Sequence, residues 1–144
     1  MNVLLVGLAV SVGAPALKDP PKDEPPVVGN WKLVEWIQSG TAMAFTEGAE
    51  VEFLPGGKRL WRDGPDAAVE ERSYVLGSKS TPAAIDLIKR DGGEPPIVHP
   101  SIFKIDGDTL VIVVGPQDGE RPKAFDEGRE RGRMLMTFKR VKKK

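Results

Sequence analysis

The 144-residue sequence contains no cysteine and a single histidine, His99. Without cysteine the chain can form no disulfide and no thiolate nucleophile. Zinc and copper sites are built mainly from histidine and cysteine, so a metal site here would consist almost entirely of carboxylates. The sequence therefore predicts a protein without a metal and without a cofactor.

The sequence also lacks net charge, because 21 Lys and Arg balance 21 Asp and Glu. A domain that binds nucleic acid or an anionic membrane usually carries an excess of positive charge. The one basic run comprises Lys139, Arg140 and residues 142–144 at the C-terminus, and a solvated basic tail is its simplest interpretation. We predict no nucleic-acid partner.

No hydrophobic run is long enough to span a bilayer, which needs about 20 apolar residues. Residues 3–16 have the length of a signal-peptide hydrophobic region and end in an Ala-Pro-Ala cleavage pattern. Met1 and Asn2 supply no basic side chain, so the signal is incomplete. We expect residues 1–16 to be a signal peptide that directs export to the periplasm or the exterior; the alternative is an extension that stays attached.

Residues 17–26 form a linker rich in proline and charge, which has little apolar surface to bury. The single domain is expected at 27–141, followed by the tail at 142–144. Within it, short runs of β-branched and aromatic residues alternate with Gly, Pro and Asp clusters, which indicates a soluble all-β domain. The predicted strands are 30–38, 49–54, 58–62, 70–76, 84–90, two within 101–114, and 134–141.

Two local patterns give the strongest support to the all-β prediction. Val51 and Phe53 alternate with Glu50 and Glu52, as expected for a strand with one wet face. An Asp-Gly-Asp turn at 106–108 joins two apolar strands into a hairpin. Eight short strands in succession favour an antiparallel meander, which in a chain of this size closes into a barrel because closure removes exposed edges.

The opening Gly-Asn-Trp-Lys-Leu-Val at 29–34 is similar to the G-x-W start of lipocalin-type barrels. Together with later segments in order, it resembles the uncharacterised lipocalin-like domain family expanded in planctomycete bacteria. The resemblance covers 27–141, and the later segments that carry it are 84–87, 102–110, 121–125 and 138–141.

The resemblance implies a lipocalin-like barrel and an exported setting, but no reaction. Members of that family commonly have a cysteine after the Ile-Asp-Gly-Asp-Thr-Leu turn, whereas residues 111–114 here read Val-Ile-Val-Val. In lipocalin-like barrels the Trp of the opening motif plugs one end and an Arg on the last strand stacks over it. By position these residues are Trp31, two residues after Gly29, and Arg140, and we expect a structural role for them.

Catalytic patterns are weak, and we predict that the protein is not an enzyme. His99 and Ser101 would point the same way from one strand without an orienting acid, and His99 beside Pro100 is expected in a loop. The carboxylates have ordinary explanations as solvated or turn residues; they are Glu50, Glu52, Asp86, Asp106 and Asp108. The glycine pairs lack the helix and lysine of a phosphate loop.

Binding remains as a function, and two hypotheses stay open. In the first, the barrel holds a small apolar ligand; the candidate lining residues are Phe53, Trp61, Tyr74, Phe103 and Met136. In the second, the core is filled and the monomeric domain contacts an envelope protein through its loops, including the arginine-rich segment 115–133. A void of about 300 Å³ or more would favour the first hypothesis.

Overall fold

A computed structural model of the chain describes residues 26–77, 81–90 and 94–142. They form nine strands: β1 (Gly29–Gln38), β2 (Thr41–Ala42), β3 (Glu50–Leu54), β4 (Lys58–Arg62), β5 (Val69–Gly77), β6 (Ala84–Lys89), β7 (Ile97–Asp106), β8 (Thr109–Val114) and β9 (Met134–Arg140). One turn of 3-10 helix, Phe125–Arg129, precedes β9. In this part of the chain no helix is long and apolar enough to cross a membrane.

The strands close into an antiparallel barrel. Eight of them, β1 and β3 to β9, pair with their neighbours in chain order, and β9 pairs back with β1 to close the ring. The two-residue β2 pairs only with the end of β1. The predicted eight-stranded meander barrel is therefore confirmed, and the arrangement is consistent with a lipocalin-like barrel. The hairpin predicted at 101–114 is present, with Asp106 opposite Thr109 across a two-residue turn.

Alternation places one side of each strand in the interior. On β3, Val51 and Phe53 are buried and lie opposite Trp61 and Arg59 of β4. The alternation on β1 is interrupted by a β-bulge, because Phe138 pairs with Leu33 while Thr137 pairs with Glu35. The bulge leaves one extra residue on β1, which turns Leu33 and Trp36 towards the same interior even though they are three residues apart.

The barrel is filled at the end where β1 begins and β9 finishes. The indole of Trp31 is fully buried, and its Nε1 donates a hydrogen bond to O of Val27 at 2.8 Å. The guanidinium carbon of Arg140 lies 4.1 Å from the centroid of the Trp31 ring. Its Nη1 and Nη2 donate to the carbonyls of Val28 (3.4 Å) and Pro26 (3.2 Å), so Arg140 ties the last strand to the segment before the first.

A second apolar cluster lies outside the barrel, beneath segment 115–133. Its buried members are Ile37, Ile102, Val113 and Leu135, and Phe125 of the 3-10 helix packs against them. Gly128 is buried there, where an added β-carbon would lie within 2.8 Å of Cδ1 of Leu135. Segment 115–133 is therefore partly packed against the barrel wall.

The structure corrects two further expectations. His99 lies within strand β7 and not in a loop. The following Pro100 is tolerated because it lies at the end of the ladder between β7 and β8, which begins at Ser101; Pro100 contributes only its carbonyl there, which accepts a hydrogen bond from N of Gly115 at 2.9 Å. Other strand limits differ from the predicted ones by a residue or two, except that β7 begins four residues earlier than expected. The predicted signal peptide and most of the linker lie outside the described residues.

Candidate ligand-binding site

The barrel interior holds a cavity of about 530 Å³. Its walls are mainly aromatic and aliphatic, and its mouth is bordered by residues 44–46 of the β2–β3 connection and by Asp63 after β4. The volume lies within the range of about 300–1,000 Å³ that is usual for small-molecule sites. The apolar lining residues on the strands include Leu33, Trp36, Val51, Leu87, Ile112, Val114 and Phe138.

Of the five residues predicted to line a ligand site, the structure brings three to the cavity: Phe53, Trp61 and Met136. Tyr74 instead packs at the filled end, where its ring meets that of Phe53 edge-on at 5.1 Å and its hydroxyl donates to O of Leu54 at 2.6 Å. Phe103 packs against the same core and does not border the cavity. Burial raises the pKa of Tyr74, since the phenolate would be desolvated.

Two arginines also line the cavity, and sequence reasoning missed both. Arg59 of β4 and Arg72 of β5 are direct partners across the sheet. Only 8% of Arg59 is exposed, and its Nε donates to O of Ser73 at 3.0 Å. Burial, together with the positive charge of Arg72, lowers the pKa of Arg59 to about 10. Arg59 remains a cation at neutral pH.

A sequence signal for these arginines does exist. Arg59 stands two residues before Trp61, and Arg72 stands two residues before Tyr74. Because residues two apart in a strand share a face, any prediction that places Trp61 and Tyr74 inside must place both arginines inside as well.

His99 borders the cavity too, but it lacks the partners of a catalytic histidine. Its Nδ1 lies 3.0 Å from O of Gly115, and since a carbonyl only accepts, Nδ1 carries the hydrogen. The hydroxyl of Ser101 donates to the backbone carbonyl of His99 at 2.9 Å and not to its ring. Among the described residues the imidazole has no carboxylate partner.

The carboxylates considered from the sequence lie away from the cavity. Glu50 and Glu52 point out of β3, beside a small outer pocket. Asp86 pairs with Arg121 at 2.8 Å, and Asp108 pairs with Lys142 at 3.3 Å. Within the described ranges, no three acidic or histidine side chains come together as a metal site.

The arginines of segment 115–133 divide into two groups. Arg121 pairs with Asp86 and also donates to O of Ser101 at 2.9 Å, and Arg133 lies 3.6 Å from Glu127. Arg121 therefore holds the segment against the barrel, whereas Arg133 pairs within the segment. Arg129 and Arg131 are exposed.

No family model, curated protein or solved structure matches this chain. The resemblance to lipocalin-like domains stays a prediction, and the function has to be inferred from the cavity. Chemically, the cavity can surround an apolar molecule with aromatic and aliphatic side chains while two guanidiniums offer hydrogen bonds from one wall.

Proposed function

We propose that this domain is a non-catalytic binding protein that holds a small, largely apolar molecule in its barrel, and that the protein is exported. The observation that carries the proposal is the cavity of about 530 Å³ with its aromatic and aliphatic lining. Removing apolar ligand surface from water in such a site contributes about 25 cal/mol for each Å² buried. The export part of the proposal rests on residues 1–16, which lie outside the described residues.

The alternative hypothesis, an interaction module acting through its loops, required a filled core. The interior described here is filled only at the Trp31 end, so this alternative comes second. Arg129 and Arg131 are the exposed residues through which it would act.

A neutral fluorescent probe, N-phenyl-1-naphthylamine, tests the binding proposal. We expect saturable fluorescence enhancement at one probe per chain. A double variant with Met134→Trp and Met136→Trp should weaken the probe's affinity by roughly tenfold or more, because both side chains line the cavity and the added bulk fills it.

The matched control is Thr137→Trp with Lys139→Trp, which adds the same two indoles to β9 but on its outer face. This control should leave probe affinity within about twofold of wild type. Absence of saturable binding to the wild-type protein, or an equal loss in both double variants, would contradict the proposal.

A further inference from the structure

Arg59 is a buried cation without an acidic partner in the described chain. Its one hydrogen bond runs from Nε to O of Ser73, and neither Nη has a protein acceptor among the described residues. A guanidinium held out of water normally has a carboxylate or several carbonyls around it, since an unpaired buried charge costs several kcal/mol. The two Nη groups of Arg59, the fork of its guanidinium, are therefore free to bind a molecule that enters the cavity.

Arg72 adds to this positive wall. Its Nη2 lies 3.0 Å from Oε1 of Glu70, while its Nε is buried without an acceptor. Among the described residues, the acidic side chain that lines the cavity is Asp63, which is exposed at the mouth and accepts a hydrogen bond from Nε1 of Trp61 at 2.5 Å. Of these two adjacent guanidiniums, only that of Arg72 has a paired carboxylate, which is Glu70.

The side-chain atoms that are buried in the cavity wall without a partner among the described residues are donors. Besides the Arg59 fork and Nε of Arg72, the indole Nε1 of Trp36 is buried in the cavity wall with no acceptor among the described residues. A ligand that complements these groups must bring acceptors, and an anionic acceptor group also neutralises the charge. A neutral hydrocarbon would leave all of them unpaired.

We propose that the ligand is an amphiphile with one carboxylate, bound by Arg59 with the help of Arg72, and this rests on the proposed binding function. Arginine presents a planar fork that binds a carboxylate through two parallel hydrogen bonds, which makes it more selective for this group than a point charge. Across the barrel from β4 and β5 lie β8 and β9, whose Ile112 and Met136 offer an apolar surface for the rest of the molecule.

The test compares two ligands with the same twelve-carbon chain, dodecanoate and dodecan-1-ol, as competitors of N-phenyl-1-naphthylamine. At pH 8 the carboxyl is fully ionised. For the wild-type chain we expect dodecanoate to bind roughly tenfold tighter than the alcohol or better, although the alcohol is the less water-soluble of the two.

Variants of the two arginines show which side chain causes the preference for dodecanoate over dodecan-1-ol. Arg59→Met should lower dodecanoate affinity roughly tenfold and leave probe and alcohol affinities within about twofold. Arg59→Lys keeps the charge but not the fork and should fall between wild type and Arg59→Met, and Arg72→Met should give a smaller loss than Arg59→Met. Arg62→Met is the matched control, because Arg62 lies on the same strand and points outwards; it should change none of the three affinities.

The outcomes separate the two proposals. If the neutral probe does not bind the wild-type chain, the binding function itself fails. If the probe binds but dodecanoate and dodecanol compete equally, or Arg59→Met and Arg72→Met both leave their ratio unchanged, the cavity binds ligands but its carboxylate preference is overturned. Should Arg59→Met not fold, Arg59→Lys and Arg72→Met still decide the question.

Discussion

Gly29 and Arg140 approach so closely that a β-carbon on Gly29 would lie 2.9 Å from Nη1 of Arg140. Arg140 cannot easily move away, because its guanidinium is stacked on Trp31 and hydrogen-bonded to the carbonyls of Pro26 and Val28. Gly29 also has a φ of +136°, a conformation that residues with a side chain rarely adopt. The glycine of the opening motif is thus required by the stacked pair behind it.

We expect Gly29→Ala to lower the free energy of unfolding by about 2–3 kcal/mol, the sum of backbone strain and displacement of Arg140. Urea unfolding measures it. Gly56→Ala is the control: φ there is +90°, but no atom lies within 4 Å of the added β-carbon, so it reports backbone strain alone. Equal losses in the two variants would show that the contact with Arg140 contributes nothing.

Arg59 should reduce stability in the ligand-free protein. Its lowered pKa shows that the folded state disfavours the charged form. Replacing it by Met keeps the apolar stem and removes the charge, so we expect Arg59→Met to raise the free energy of unfolding by about 1–2 kcal/mol at pH 7. Lys58→Met, at an exposed position on the same strand, is the control and should stay within about 0.5 kcal/mol. A destabilised Arg59→Met protein would mean that the bond to Ser73 outweighs the cost of burial.

Tyr74 gives the barrel a dependence on alkaline pH. Burial raises the pKa of Tyr74 in the folded state above the value of about 10 in the unfolded chain, so the unfolded state loses its proton first. Stability is therefore unaffected well below pH 10 and falls as pH rises above it. We expect Tyr74→Phe to cost about 1 kcal/mol at pH 7, through loss of the bond to Leu54, and to show a smaller decline between pH 9 and 11. Parallel pH curves for the two proteins would contradict this.

Gly128 allows the 3-10 helix to lie against the outer wall. A β-carbon there would come within 2.9 Å of Cβ of Leu135 and 3.2 Å of Cγ2 of Val113, both in buried positions. We expect Gly128→Ala to cost about 1–3 kcal/mol and to speed amide hydrogen exchange in residues 115–133. Lys123→Ala, in the same segment but exposed, is the control and should leave both measurements near wild type. Unchanged exchange in Gly128→Ala would argue against the packing role.

The export proposal is tested by native mass spectrometry of the full-length chain expressed in a Gram-negative host and recovered from the periplasm. We expect a mature mass beginning near Leu17, after the Ala-Pro-Ala pattern. A bound ligand would add a few hundred daltons that disappear on denaturation. An intact Met1 would overturn cleavage at this site.

The in-or-out placement of side chains could be predicted from the sequence, but their depth in the barrel could not. Alternation correctly placed Val51 and Phe53 inside. It gives no information on how far along the barrel axis an inward residue lies, because strand tilt and register set that. Tyr74 and Phe103 therefore pack into the core without bordering the cavity, while Trp61 and Met136 reach it.

Two local features could not be predicted from the sequence pattern, for reasons other than depth in the barrel. The bulge on β1 appears only when Thr137 and Phe138 of β9 are laid against it, so it depends on a pairing that joins the two ends of the domain. The packing of segment 115–133 depends on Gly128 meeting Leu135 and on Arg121 reaching Asp86. A polar segment of this composition is equally typical of a solvated loop.

Closure of the ring through β1 and β9 has a consequence for how the chain folds. Every other pair of neighbouring barrel strands is adjacent along the barrel part of the sequence, but the bond between Thr137 and Glu35 joins residues 102 positions apart. Contacts of such separation form late, because a long loop must be closed first. Until β9 emerges and docks, β1 and β8 each present an open edge, so a chain truncated before Met134 should aggregate through those two strands.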